Sequence, residues 1–197
     1  MRKLRLVLIP VVFFNLLLLA SAQSDHVELF GGYSLERIPP GCGGNYRCGA
    51  SDNVPGPASN MSGWTTSLTG FVHGSLGISM QFAGNYNGTA ALSSSSVNRY
   101  SYQFGPAYAV RWQRASVFAH ALFGGVTQKS SADQTLSYTS FLWSVGGGLD
   151  LKTSGRISIR PVQLDYERQS IPSDAEGGLG TVGVNGLRYS AGIVIRF

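Results

Sequence analysis

A chain of 197 residues, with 26 glycines and charged side chains making up only 13% of it, is long enough for one domain. An ordinary water-covered globule would carry about 25% charge and a disordered chain more, so both are excluded, and something other than water covers part of the surface. The formal net charge of +5 is concentrated in Arg2, Lys3 and Arg5, which leaves the rest nearly neutral; without a Lys/Arg run interleaved with aromatics, nucleic-acid binding is excluded too.

The first element runs over residues 1–22. Met1 to Arg5 is a basic tip, Leu6 to Ala20 is apolar apart from Asn15 and Pro10, and Ala20-Ser21-Ala22 supplies small residues before Gln23-Ser24-Asp25. This is the three-part layout of a secretory signal peptide, with cleavage expected after Ala22 and an exported chain of 23–197. The apolar stretch falls short of the ~20 residues that a spanning helix needs, and no cysteine follows the small residues to take a lipid.

Beyond Ala22 no apolar run reaches the ~18 residues of a spanning helix, but period-two alternation predicts eight strands. In chain order they are Val27 to Glu36, Trp64 to His73, Leu76 to Tyr86, Arg99 to Trp112, Val117 to Gln128, Thr139 to Leu151, Ile157 to Arg168 and Gly186 to Phe197. Each is longer than the ~5–6 residues of an average soluble strand and matches the ~9–11 that a tilted strand uses to cross hydrocarbon. In the third, Leu76, Ile78, Met80, Phe82 and Tyr86 oppose Ser79, Gln81, Ala83 and Asn85; in the fourth, Tyr102, Phe104 and Tyr108 oppose Ser101, Gln103 and Ala107. One face is apolar and the other small or polar, without the Lys and Glu of a soluble sandwich's outer face, as expected of a barrel in lipid around a narrow lumen. In the fifth strand either Val117 and Phe123 or Phe118, His120 and Leu122 suit the lipid face; His120 is expected inward, where a polar ring can find a partner. The seventh slips phase at Arg160-Pro161, which predicts a bulge, since proline lacks the ladder donor.

The connections number 27, 2, 12, 4, 10, 5 and 17 residues in order. Long and short alternate, so antiparallel neighbours would gather all long connections at one end, as in outer-membrane barrels with long extracellular loops and short periplasmic turns. Closure is required because hydrocarbon offers nothing to unpaired edge amides. The fold class is therefore all-β, an eight-stranded antiparallel up-and-down transmembrane β-barrel behind a cleavable signal peptide. Cys42 and Cys48 fall in the first long connection and, in an oxidising compartment, are expected to form a disulfide.

With this alternation the inward charges are Glu28, Glu36, Arg111, Asp150, Arg160, Asp165, Glu167, Arg188 and Arg196. Antiparallel closure of the first and last strands sets Glu28 near Arg196 and Glu36 near Arg188, so ion pairs are expected across that seam and the paired charges would plug the lumen. Trp64, Tyr86, Tyr100 and Tyr189 are expected in an outer aromatic girdle, Trp112 and Phe197 in an inner one. No catalytic, cofactor-binding or metal-ligating set emerges. His26, His73 and His120 all fall toward the periplasmic end, there is no Gly-x-Ser-x-Gly nucleophile elbow, and no Lys-Ser/Thr directly follows Gly146-Gly147-Gly148 as a phosphate loop requires.

The end of the chain is the most specific signal. Ser190-Ala191-Gly192-Ile193-Val194-Ile195-Arg196-Phe197 resembles the C-terminal assembly signal of the OmpA/OmpX-type outer-membrane barrels, with Ser190, Gly192, Ile195 and terminal Phe197 at the matching places. The likeness spans 27–197 and implies outer-membrane location, reached through the periplasm with chaperones and the barrel-assembly machinery as partners, in contact with outer-membrane lipid and lipopolysaccharide. It does not extend to the peptidoglycan-binding domain of OmpA itself, so no wall-anchoring role is carried over. The expected function is that of a non-enzymatic integral barrel serving membrane integrity. The alternative is adhesion or ligand capture by the long loops; a lipid-modifying barrel enzyme, a small porin or a soluble periplasmic barrel is less favoured.

Overall fold

A computed structural model describes residues 27–38, 59–87, 97–130, 137–173 and 180–197. The segment ending at Ala22, together with His26, Cys42 and Cys48, lies outside them. Eight strands follow in chain order: β1 Val27–Ile38, β2 Ser59–His73, β3 Leu76–Asn87, β4 Val97–Arg111, β5 Ala115–Ser130, β6 Ser137–Lys152, β7 Ile157–Ser173 and β8 Gly180–Arg196. Each pairs antiparallel with the next, and β1 pairs with β8, which closes the barrel.

All eight predicted strands are present, but they run one to six residues farther toward the long connections than alternation alone indicates. Past the hydrocarbon the outward face need not be apolar, so backbone pairing continues where the hydrophobic signal fades. The long connections accordingly shorten to 39–58, 88–96, 131–136 and 174–179, while 74–75, 112–114 and 153–156 join strands at the opposite end. Trp112, expected at the close of the fourth strand, sits instead in the turn, its amide donating to the Ala115 carbonyl at 2.8 Å. Gly74 takes the left-handed conformation, with φ of 54°, that the two-residue turn between β2 and β3 requires.

The sheet is apolar outside. Ile78, Phe104, Ile193 and Tyr102 expose 57%, 61%, 54% and 49% of their surface, whereas Gln81, Gln103, Ser190 and Arg188 between or beside them are buried. In β5, Val117 and Phe123 face out while His120 and Leu122 face in. The lumen is less uniformly polar than expected: Phe30, Leu122, Val126, Leu142 and Val194 are buried in it. Arginine makes these rings useful, since Arg160 Cζ sits 4.4 Å from the Phe30 ring centre and 3.9 Å from that of Phe118.

The bulge lies where the sequence places it. On β7 the register shifts between Arg160 and Gln163 against β8, and Arg160-Pro161 together oppose Asp150 of β6. Before the bulge Ser158 and Arg160 face the lumen; after it Gln163, Asp165 and Glu167 do. The extra residue thus keeps Ile157, Ile159, Leu164 and Tyr166 on one outer face.

At the β1–β8 seam backbones approach closely. A Cβ on Gly192 would lie 2.2 Å from the Gly31 carbonyl oxygen, and one on Gly32 2.3 Å from that of Ala191. The seam is finished by the Phe197 amide, which donates to the Val27 carbonyl at 2.9 Å.

Candidate functional site

The lumen is where chemistry-bearing residues collect. Register sets Glu28 opposite Arg196 and Glu36 opposite Arg188, yet the ion pairs follow only the first of these. Arg196 Nε donates to Glu28 Oε1 at 3.0 Å, and Arg111 Nη2 reaches the same oxygen at 3.2 Å. Arg111 is not sealed in: a third of its side chain is exposed at the short-turn mouth, where Cζ lies 3.9 Å from the Phe71 ring centre.

Glu36 and Arg188 do not pair. Arg188, fully buried, turns to β7 instead, Nη1 lying 2.8 Å from Glu167 Oε1 and Nη2 3.3 Å from Asp165 Oδ2. Glu36 is held by Arg99 of β4 and by Asn85 of β3, whose Nδ2 donates to Oε2 at 2.5 Å. The physical reason is geometric: in a closed narrow lumen a long guanidinium reaches across the interior as readily as to its register neighbour. Arg99 is the functional residue that sequence reasoning misses. It shares parity with Ser101 and Gln103, which is the signal that could have found it, but it stands at the edge of the alternating stretch.

These contacts join into one thread along the barrel axis. Arg196 Nη2 lies 3.4 Å from Asp150 Oδ2, and Asp150 also takes a fork from Arg160, with Nε at 2.6 Å from Oδ1 and Nη2 at 3.1 Å from Oδ2. The bulge aims this arginine. Arg160 Nη1 donates onward to Gln163 Oε1 at 2.9 Å, and Gln163 Nε2 to Asp165 Oδ2 at 2.9 Å. From Asp165 the thread passes through Arg188 to Glu167, whose Oε2 lies 3.3 Å from Arg99 Nη1, and so to Glu36. His120 joins it at Asp165, with Nε2 2.8 Å from Oδ1.

Every acid of the described residues lies in this lumen and touches an arginine: Glu28, Glu36, Asp150, Asp165 and Glu167 against Arg99, Arg111, Arg160, Arg188 and Arg196. The two sets balance in charge. Burial of any one ion alone would cost several kcal/mol, so the balance is what makes this filling tolerable. At the long-connection mouth Glu36, Arg99, Glu167 and Gln169 line a recess whose interior volume for a water-sized sphere is about 0 Å³, against the ~300–1,000 Å³ of small-molecule sites. Among the described residues no His, Cys, Asp and Glu side chains group as three or more potential metal ligands.

The terminal residues of the chain divide by side. Ser190 is buried in the lumen, Gly192 faces it at the tight seam, and Ile195 and Phe197 are exposed outward. On the outer surface Trp64 Nε1 donates to the Tyr86 hydroxyl at 3.3 Å, and Tyr86 meets Tyr100 edge-on at 6.0 Å, a run of aromatics across β2, β3 and β4. Tyr189 does not extend it: its hydroxyl points toward the short-turn end and donates to the Pro161 carbonyl at 2.6 Å.

No protein-family model matches the chain, and no curated protein sequence does. Solved structures do match. Neisserial surface protein A superposes with a TM-score of 0.66 at 13% identity, over 87% of this chain and 97% of that one. The outer membrane protein OprG of Pseudomonas aeruginosa gives 0.51 at 9% identity, over 89% and 97%. Ail, the attachment invasion locus protein of Yersinia pestis, gives 0.50 at 17% identity, over 89% and 100%. The chain therefore has the fold of the small eight-stranded outer-membrane barrels, a closed antiparallel sheet with its apolar side turned outward.

Proposed function

We propose that this protein is a non-enzymatic integral barrel of the bacterial outer membrane, exported through the periplasm, whose lumen is a permanent charge-paired plug. The observation that carries the reading is the inversion of sides: exposed Ile78, Phe104 and Ile193 against a buried, neutralised file of arginines and carboxylates. Such a surface is stable only where hydrocarbon replaces water. The short turns then face the periplasm, and the strand ends that lead into the long connections face the cell exterior.

An enzymatic reading finds little support in the histidine. His120 is buried against Asp165 inside the lumen, remote from any acyl bond of a lipid leaflet. A porin reading conflicts with the lumen's contents, since eight strands leave room for side chains and little else. The barrel-assembly machinery is the partner we assign to the end of β8, where Phe197 stands exposed on the outer face.

Conductance tests the plug. The purified barrel inserted in a planar lipid bilayer is expected to carry no steady single-channel current at 1 M salt, a condition that screens but does not remove buried pairs. A stable open level in most insertions would contradict it.

A further inference from the structure

The described charges separate by side as well as by sign. All five acids of the described residues are in the lumen, and the exposed charged side chains among them are cations: Arg111, Arg114, Lys152 and Arg156 at the short-turn end, Arg37, Lys129 and Arg168 toward the other. Soluble surfaces intersperse both signs, and exposed side chains of one sign on the described strands and turns attract anions.

Two of these cations share a face. Arg168 of β7 is opposite Asn185 of β8, and Arg37 of β1 is opposite Leu187, so the arginines flank β8. From strand spacing and rise their Cα atoms are about 12 Å apart, a span that one headgroup with two anionic groups can bridge. The Arg168 guanidinium lies over Gly183, where an added Cβ would stand 2.9 Å from Nη2; glycine leaves it that room. Height agrees. Arg37 is the eleventh residue of β1 and Arg168 the twelfth of β7 from the short-turn end, at the limit of the ~9–11 residues that cross hydrocarbon. Leu35, Tyr166 and Leu187 beside them are exposed and apolar, while Lys129, the fifteenth residue of β5, stands farther out.

We propose that Arg37 and Arg168, with Asn185 between them, form an outward-facing clamp for the phosphorylated sugar headgroup of an outer-leaflet glycolipid. This inference rests on the outer-membrane orientation given above. Phosphate oxygens match the planar fork of a guanidinium, no acid among the described residues lies on this face, and the apolar side chains beside the clamp meet the acyl chains.

The full barrel is folded into nanodiscs containing bisphosphorylated lipid A, dephosphorylated lipid A or phosphatidylglycerol, and the lipid retained after detergent extraction is measured by native mass spectrometry. Wild type is expected to retain the bisphosphorylated form about tenfold over either of the others. The Arg37→Gln, Arg168→Gln variant loses that preference, Arg37→Lys, Arg168→Lys keeps part of it, and Lys129→Gln keeps all of it. Equal retention of the dephosphorylated lipid or of phosphatidylglycerol by wild type overturns the clamp, as does an unchanged preference in the glutamine variant or an equal loss from Lys129→Gln. Heat-modifiable gel migration is recorded on each sample. Its absence in wild type would count against the barrel reading, whereas its presence beside a lost lipid preference would count against the clamp alone.

Discussion

Arg188 shows how little a register neighbour decides inside a closed lumen. It stands opposite Glu36 on the β1–β8 seam and spends its guanidinium on Asp165 and Glu167. Glu36 belongs instead to Arg99, from the far side of the barrel. Residues that truly share an interaction show coupling of about 0.5–3 kcal/mol in double-mutant cycles. We expect the Arg99→Met/Glu36→Gln cycle, followed by urea unfolding in lipid vesicles, to give coupling at least ~1 kcal/mol larger than the Arg188→Met/Glu36→Gln cycle. Equal or reversed values would restore the seam pairing that alternation alone suggests. Parity identified Glu36 and Arg188 as inward charges, but partner choice depends on reach across the lumen, which no spacing along the chain encodes.

At the scale of the strand, β7 shows what one irregularity requires. Arg160-Pro161 is legible as a bulge because proline cannot donate and because Ile157 and Ile159 fall out of phase with Leu164 and Tyr166. What the sequence does not announce is how the freed backbone is satisfied. A bulge leaves a carbonyl without its ladder partner, and on a lipid-facing surface no water is present to take its place. The Tyr189 hydroxyl fills that need at 2.6 Å, so a residue that reads as part of an aromatic girdle is a backbone cap. Tyr189→Phe is expected to lower the unfolding free energy by about 1–3 kcal/mol in vesicles, as for a donor removed from a buried acceptor. Tyr102→Phe, on the same kind of outward surface, should cost less; equal losses would show that the Pro161 contact carries no special weight. Strand ends were the least legible feature: β2, β7 and β8 continue five or six residues beyond their alternating cores, where pairing persists without a hydrophobic pattern.

For the molecule as a whole, closure, strand number and the side each face takes were all readable, because they follow from one constraint. A sheet in hydrocarbon must pair every edge and turn its oily face out. The lumen's composition was readable only in part. Small and polar residues were anticipated from β3 and β4, and Leu122 inside follows from placing His120 inward, but Phe30 and Leu142 inside were not anticipated, since an apolar side chain in the lumen and one facing lipid give the same hydrophobic signal.

The central claim is the inversion of sides, and a nitroxide scan along β4 tests it most directly. With Cys42 and Cys48 replaced by serine, single labels are placed at each position from 101 to 108 of the barrel in bilayers, and collision with lipid-soluble oxygen is measured. Accessibility should alternate with period two and peak at Tyr102, Phe104, Pro106 and Tyr108, the exposed positions. Peaks at Ser101, Gln103, Gly105 and Ala107, or no alternation at all, would contradict the account.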